Sequence, residues 1–346
     1  MSSVGVEPAP VTSVSASVLS ELSGEAIEIR SVTALAGGAC QDNLKLVLTR
    51  GGQEETWVLR HDAPSSLAGS IDRAAEFAVV AAARAAGVLT PEARFLGQGL
   101  LGRPGFGYLS AFAAGTAIGR QVLERPELAA ARSGLATALA IELARIHSVS
   151  DEVALPISGL GKEDAATVAL GRLEGLLRAS TTPLLALELV FQWLVGNAPA
   201  AAPRVLVHGD FRTGNFLVAP SGLTAILDWE FAHFGAAEED LGWIAVRDWR
   251  FGHLDRPIGG FATREDFYSA YESAAGREVD RRTIHWWEVY GNARWAAGCL
   301  DQADRYRAAA LPGPRGAGKA DFEFLAIGRR ASEMAFEAMR LIEAAT

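Results

Sequence analysis

The chain has 346 residues, 49% of them hydrophobic and 21% charged, with a formal net charge of −9. This is an ordinary globular composition with length for about two domains, and the acidic balance disfavours nucleic acid, whose phosphates require a basic surface. No basic-then-apolar leader opens the chain and no stretch of about 18 residues is both apolar and uncharged. Cys40 and Cys299 fit neither a disulfide framework nor a metal spacing, so a cytoplasmic protein with reduced thiols and no membrane partner is expected.

Residues 1–22, rich in Ser, Val, Ala and Pro without a strong period, are expected to be a mobile tail. From Ile27 the pattern becomes strand-like. Ile27–Arg30 and Leu44–Leu48 alternate, with the Gly37-Gly38 turn between them, and Gly51-Gly52 leads into Thr56–Arg60 as a hairpin. Ser70 opens an alanine-rich helix that Gly87 and Pro91 close. A second hairpin covers about 94–100 and 107–112, turning at Gly102-Arg103-Pro104-Gly105. Residues 23–115 therefore read as a small β-rich N-terminal lobe with one main helix.

Residues 116–346 read as a larger, mostly helical lobe. Helices are expected at about 126–148, 163–179, 183–196, 264–275, 281–309 and 321–344, interrupted by a strand–loop–strand unit over 205–228. The class is α+β, and the crevice between two such lobes is where small-molecule sites usually form.

The interruption carries the chemistry. It runs Val205-Leu-Val-His208-Gly209-Asp210-Phe-Arg-Thr-Gly-Asn215-Phe-Leu-Val218, turns at Pro220-Ser-Gly222, and ends Ala225-Ile-Leu227-Asp228-Trp229-Glu230. Short apolar strands flanking polar residues deliver Asp210, Asn215 and Asp228 at strand ends and on the loop between. Phosphoryl transfer needs such a set: a carboxylate to orient the acceptor hydroxyl and take its proton, and oxygen ligands for Mg²⁺. Asp210 and Asn215 also keep the spacing of the base and the metal-binding Asn of protein kinases. Alone, an Asp-x4-Asn loop could be turn chemistry. A metal hydrolase built on His208, Asp210, Asp228 and His233 is the other reading, although no paired-His helix accompanies it.

His-Gly-Asp-x4-Asn followed by Ile-Leu-Asp-Trp-Glu resembles the signature of the aminoglycoside phosphotransferase and choline kinase-like superfamily. The segments 263–271 and 290–295 resemble the branch related to kinase-like domains fused to acyl-CoA dehydrogenases. The resemblance implies a bilobal protein-kinase-like fold and a phosphotransferase using ATP (or GTP) and Mg²⁺ on a hydroxyl group of a small molecule, such as a hydroxyacyl-CoA or an antibiotic-like compound. It implies Asp210 as catalytic base, Asn215 and Asp228 as Mg²⁺ ligands, and His208 and Asp240 as supports of the catalytic loop.

The same resemblance assigns the N-terminal lobe to the nucleotide. Val58 and Arg60 share one strand face, and Arg60 stands where kinases place the Lys that binds phosphates and pairs with a helix Glu, here Glu76. Arg60 in place of Lys is a departure, because a guanidinium reaches and bonds differently; a surface salt bridge is the plain alternative. Gly37 and Gly38 stand where a phosphate-covering loop should be, or are an ordinary hairpin turn. Ala111 and Ala113 match the hinge whose backbone reads adenine, or simply end a strand. With the glycine pattern incomplete and Arg60 substituted, a nucleotide-binding pseudokinase without transfer activity is the alternative function. Trp286, Trp287, Tyr290 and Trp295 are expected to be core rather than acceptor contacts.

Overall fold

The computed structural model describes residues 14–35, 42–62, 69–157, 163–310 and 326–345. It divides into two compact units, residues 1–85 with 90–113, and residues 86–89 with 114–346. Gly37 and Gly38 lie outside the described residues.

The smaller unit is one antiparallel sheet with two helices. Its elements are α1 (Ala16–Ser23), β1 (Ile27–Ala34), β2 (Asp42–Arg50), β3 (Gln53–His61), α2 (Arg73–Ala85), β4 (Ala93–Gln98) and β5 (Phe106–Ala111), with strand order β1-β2-β3-β5-β4. Gly51 and Gly52 both have positive φ, 58° and 82°, which fits the tight two-residue hairpin between β2 and β3. Along β3 the side chains alternate. Trp57 and Leu59 enter an apolar layer with Leu44, Leu46, Leu48 and Leu109, which leaves Val58 and Arg60 on the other face.

Within the stretch 1–22 expected to be a tail, the described residues from 16 onward form helix α1. Ser15 caps it through Val18 N at 3.3 Å, Gly24 ends it in the left-handed region, and Leu19 is fully buried in the same apolar layer. The eight-residue helix was hidden because one buried leucine and a serine cap make a short signal in a small-residue sequence.

The larger unit is mostly helical. It contains α3 (Gly119–Glu124), α4 (Ala129–Ser133), α5 (Leu135–Ile146), α6 (Ala165–Ala179), α7 (Leu185–Gly196), β6 (Val205–Val207), β7 (Phe216–Ala219), β8 (Gly222–Ile226), β9 (His233–Gly235), α8 (Ala237–Trp243), α9 (Arg264–Ala275), α10 (Arg281–Ala310) and α11 (Arg330–Ala345). The single helix expected over 126–148 is broken into a 3-10 turn at Pro126–Leu128, then α4 and α5, which meet at Gly134. Strand β9 was not expected; it pairs antiparallel with β6, while β7 and β8 form their own hairpin.

The main core of this unit joins α6, α7, α10 and α11. Trp286, Trp287 and Tyr290 sit in it, the Trp286 and Tyr290 rings stacked with centroids 5.7 Å apart, and Trp286 Nε1 donates to Leu194 O at 3.0 Å. The expected core role of these aromatics is thus met, with Trp295 only partly buried. Among the described residues no helix is long and apolar enough to cross a membrane.

Candidate active site

Two short hairpins position the polar loop. Strand β6 ends at Val207, and His208–Asn215 then cross to β7. Gly209 has φ 78°, and a Cβ there would lie 2.3 Å from Phe231 O, so only glycine fits this crossing. Asn215 O accepts from Leu227 N at 2.8 Å, which ties the start of β7 to the end of β8 and brings Asp228 beside Asn215. Asp228 has φ 68°, a left-handed backbone that non-glycine residues seldom adopt.

The Asp210 carboxylate is held on several sides. Oδ1 accepts from Trp243 Nε1 at 2.7 Å and from Arg212 Nε at 3.0 Å; Oδ2 accepts from Asn215 Nδ2 at 2.6 Å and from Arg212 Nε at 3.1 Å. Asn215 Nδ2 also donates to Asp210 O at 2.9 Å. With its amide nitrogen turned to Asp210, Asn215 presents its carbonyl Oδ1 on the opposite side of the amide. Asn215 Oδ1 and the Asp228 carboxylate are hard oxygen donors of the kind Mg²⁺ takes, so the donor set fits that ion.

His208 locks the loop from below. Its Nε2 lies 2.9 Å from Leu227 O, and Asp210 N donates to its Nδ1 at 3.3 Å. Only the Nε2–H tautomer satisfies both contacts. The ring packs 4.7 Å from Trp229 and 5.7 Å from Phe211.

Asp240, on α8, is fully buried and accepts from the backbone N–H groups of His208 at 2.7 Å and Gly209 at 3.0 Å. His147 Nε2 lies 3.3 Å from the same carboxylate, and His147 Nδ1 is 2.8 Å from the Tyr271 hydroxyl. Burial pushes the Asp240 carboxyl up, but the His147 ring, His208 and the backbone donors outweigh it and hold the group below the usual carboxylate range. Beside it, His233 Nε2 bonds Glu239 at 3.1 Å and His233 Nδ1 lies 2.8 Å from Phe231 O. Burial works against this pair too. Their mutual attraction nevertheless keeps the imidazole raised and the carboxyl lowered.

These contacts remove the metal-hydrolase reading. Both ring nitrogens of His208 and of His233 are engaged by protein groups, and among the described residues no group of three His, Cys, Asp or Glu could hold a metal ion.

In the smaller unit, Arg60 Nη2 donates to Glu76 Oε1 at 2.7 Å, joining β3 to α2 as the kinase-like pair requires. Glu76 is fully buried, and its other oxygen accepts from Arg73 Nη1. Arg73 is buried as well, and Asp62 accepts from its backbone N at 3.0 Å. The pair is therefore part of a buried charge cluster, not a surface salt bridge. Val58 lies opposite Lys45 and Ser110 in the sheet. Ala111 ends β5, where its N–H donates to Glu92 O at 2.8 Å, so a base edge at this position could use only its carbonyl; Ala113 follows outside any helix or strand.

Sequence reasoning missed five partners. Arg73 stands three residues before Glu76 and Arg212 two after Asp210, so both were within reach of local spacing. Trp243 lies three residues after Asp240 and was assigned no role. His147 and Tyr271, 124 residues apart, give no sequence signal of their contact.

A model of the phosphotransferase enzyme family, APH, matches residues 31–287. Mouse acyl-CoA dehydrogenase family member 10 is 33% identical over 119 residues, a match covering 33% of this chain and only 11% of that protein. A Ralstonia eutropha JMP134 protein assigned to the aminoglycoside phosphotransferases has a similar fold, with TM-score 0.68, 22% identity, and coverage of 92% of this chain and 93% of that one. Aminoglycoside phosphotransferase APH(4)-Ia, solved with ADP and hygromycin B, aligns with TM-score 0.56 and 15% identity over 90% of this chain and 96% of its own.

Proposed function

The chain belongs to the phosphotransferase enzyme family, and we propose that it transfers the γ-phosphoryl group of ATP to a hydroxyl group of a small molecule in the cytoplasm. The observation that carries this reading is the pair of links from Asp210 to the Asn215 amide and from Asn215 O to Leu227 N, which supports a carboxylate, an amide carbonyl and the neighbouring Asp228 acting together.

Asp210 is the acceptor-orienting base. Arg212, Trp243 and Asn215 all donate to its carboxylate and fix its orientation, which suits a group that aligns an acceptor hydroxyl. Phosphoryl transfer asks little more of a side chain than this, because the work is mostly positioning and charge stabilisation. Asn215 Oδ1 and Asp228 would hold Mg²⁺, which neutralises phosphate charge when bound. His208 and Asp240 fix the main chain on either side of Gly209 and so set where Asp210 stands.

Arg60, kept in place by Glu76, which Arg73 also bonds, binds the donor phosphates, and Val58, Gly37, Gly38 and the backbone at Ala111 and Ala113 contact the nucleotide. ADP bound to APH(4)-Ia supports adenine as the base, with GTP the donor to compare. Hydroxyacyl thioesters lead the acceptor candidates because of the match to the mouse acyl-CoA dehydrogenase family member, and antibiotic-like compounds follow from the APH(4)-Ia complex.

The test is transfer from γ-labelled ATP with Mg²⁺ to a panel of hydroxyl compounds. Asp210→Asn should lower kcat by about 10²–10⁴-fold and leave nucleotide binding intact, the range expected for loss of a general base. Full turnover by that variant would refute the base assignment. Nucleotide binding with no transfer to any acceptor would instead favour the pseudokinase reading.

A further inference from the structure

Beside Asp210 the larger unit carries an aromatic cluster that the proposed chemistry does not use. Trp243, whose Nε1 is bonded to Asp210, lies 5.5 Å from Trp249 and 6.5 Å from Trp295 between ring centroids, and Trp249 lies 5.0 Å from Trp295. Three indoles next to a base could form a cage for a quaternary ammonium group. Here two guanidinium groups already occupy ring faces. Arg212 lies 4.5 Å from the Trp249 centroid, and Arg294 lies 4.6 Å from that of Trp243.

The charges of this corner separate the two arginines. Arg212 is neutralised by Asp210. Arg330 pairs with Asp248 at 2.6 Å, and Arg247 with Glu337 at 3.5 Å. Asp248 also accepts from Trp295 Nε1 at 2.7 Å. Glu239, whose ionisation Arg294 favours through space, is bonded to His233. Arg294 alone of these arginines makes neither an ion pair nor a hydrogen bond among the described residues, although it is partly buried.

Its place is built, not incidental. Arg294 stands one turn after Gly291 on α10, and a Cβ at 291 would lie 2.8 Å from Val246 Cγ2 and 3.3 Å from Trp243 Cε3. Trp243 can therefore lie against the helix backbone, with the guanidinium over its ring and its N–H on Asp210.

We propose that Arg294 recognises an anionic group, a carboxylate or a phosphate, on the hydroxyl compound that Asp210 aligns. The proposal rests on the reading of Asp210 as the acceptor-orienting base. A partly buried guanidinium that makes no ion pair or hydrogen bond among the described residues gains a charge-assisted, bidentate contact when an anion arrives. A cationic acceptor would meet like charge, with ring faces already taken by Arg212 and Arg294. The acceptor class is thus a hydroxylated anion, and polycationic or choline-like acceptors are disfavoured.

A charge-matched series on one scaffold tests this: a medium-chain ω-hydroxyalkyl carboxylate, the corresponding phosphate ester, the primary amide and the trimethylammonium compound. Each is titrated into the full chain by calorimetry, and each is offered as acceptor with Mg·ATP. One or both anions should bind at least about tenfold tighter than the amide and the ammonium compound, a difference of about 1.4 kcal/mol; the stronger of the two identifies the group recognised. Arg294→Gln should erase the preference by raising Kd and KM for the anion with kcat within about twofold, and Arg294→Lys should keep part of it. Equal binding across the series, preference for the ammonium compound, no binding by any member, or an unchanged preference in Arg294→Gln would overturn the proposal. The wild-type series decides without any variant. Charge preference without phosphoryl transfer would sink the proposed function and leave the anion site standing; transfer to the neutral compound without charge preference would do the reverse.

Discussion

Two buried acidic regions of the larger unit are held in opposite ways. Asp240 takes its hydrogen bonds from two consecutive backbone N–H groups and from the His147 ring. Glu288 and Glu337, each 1% exposed, take theirs from side chains: Arg250 bridges them at 3.1 and 2.9 Å, Arg264 adds a bond to Glu288 at 2.8 Å, and Arg340 one to Glu337 at 2.7 Å. A carboxylate on backbone donors fixes the path of the main chain, here the turn into Asp210. A carboxylate among arginines ties α9, α10 and α11 to the 3-10 turn Arg247–Arg250 and touches none of the proposed site residues. Buried charge therefore serves positioning in the first region and helix attachment in the second.

The largest expected effect comes from Asp240→Ala. It leaves two buried N–H groups unpaired, at about 1–3 kcal/mol each, and releases the turn at Gly209. Both the melting temperature and kcat should drop, kcat by about 100-fold, the size expected when a catalytic group is misplaced by about an ångström. Normal turnover in the folded fraction would break the contrast.

Arg250→Met should act on stability alone. Removing one partner from a buried ion cluster costs about 3–5 kcal/mol. Denaturant unfolding should register that loss, while kcat and KM of the folded protein stay at the wild-type values.

Acid sharpens the same comparison. Burial opposes ionisation of Glu337, but Arg340 and Arg250 hold its carboxyl at about 2. A depressed folded value gives stability that is fully present above the ordinary carboxylate value of about 4.3 and is lost as pH falls toward 2. Glu337→Gln should flatten stability against pH across that window, with the Asp240 contribution remaining. The smallest effect belongs to Arg60→Lys, which keeps a cation beside Glu76. It should change KM for ATP by a few-fold, with the fold unaffected.

Much of the site was legible because it is local. His208, Asp210, Asn215 and Asp228 fall within twenty-one residues of two short hairpins, where period-two strands and a Pro-Ser-Gly turn mark their positions. The Arg60–Glu76 pair was legible from strand phase and helix position, and the structure joins the two side chains as expected. Contacts between distant segments were not legible. Nothing in the residues around His147 points to Asp240 or Tyr271, and nothing around Arg294 points to Trp243, because helix packing sets these meetings. Strand β9 was missed since three residues, His233–Gly235, are too few to show a period. The break at Gly134 was missed because the alanine-rich stretch on both sides favours helix throughout.

The left-handed backbone of Asp228 governs how its role can be probed. Alanine at this position would combine the loss of a carboxylate with a backbone conformation that costs roughly 1–2 kcal/mol, so a dead Asp228→Ala protein would confound metal binding with folding. Asparagine tolerates that conformation and keeps the side chain's shape, and it exchanges the charged carboxylate for a neutral amide that retains one carbonyl oxygen. Titrating Mg²⁺ against Asp228→Asn therefore tests the proposed ligand role with the backbone conformation kept, with alanine serving as the control for strain.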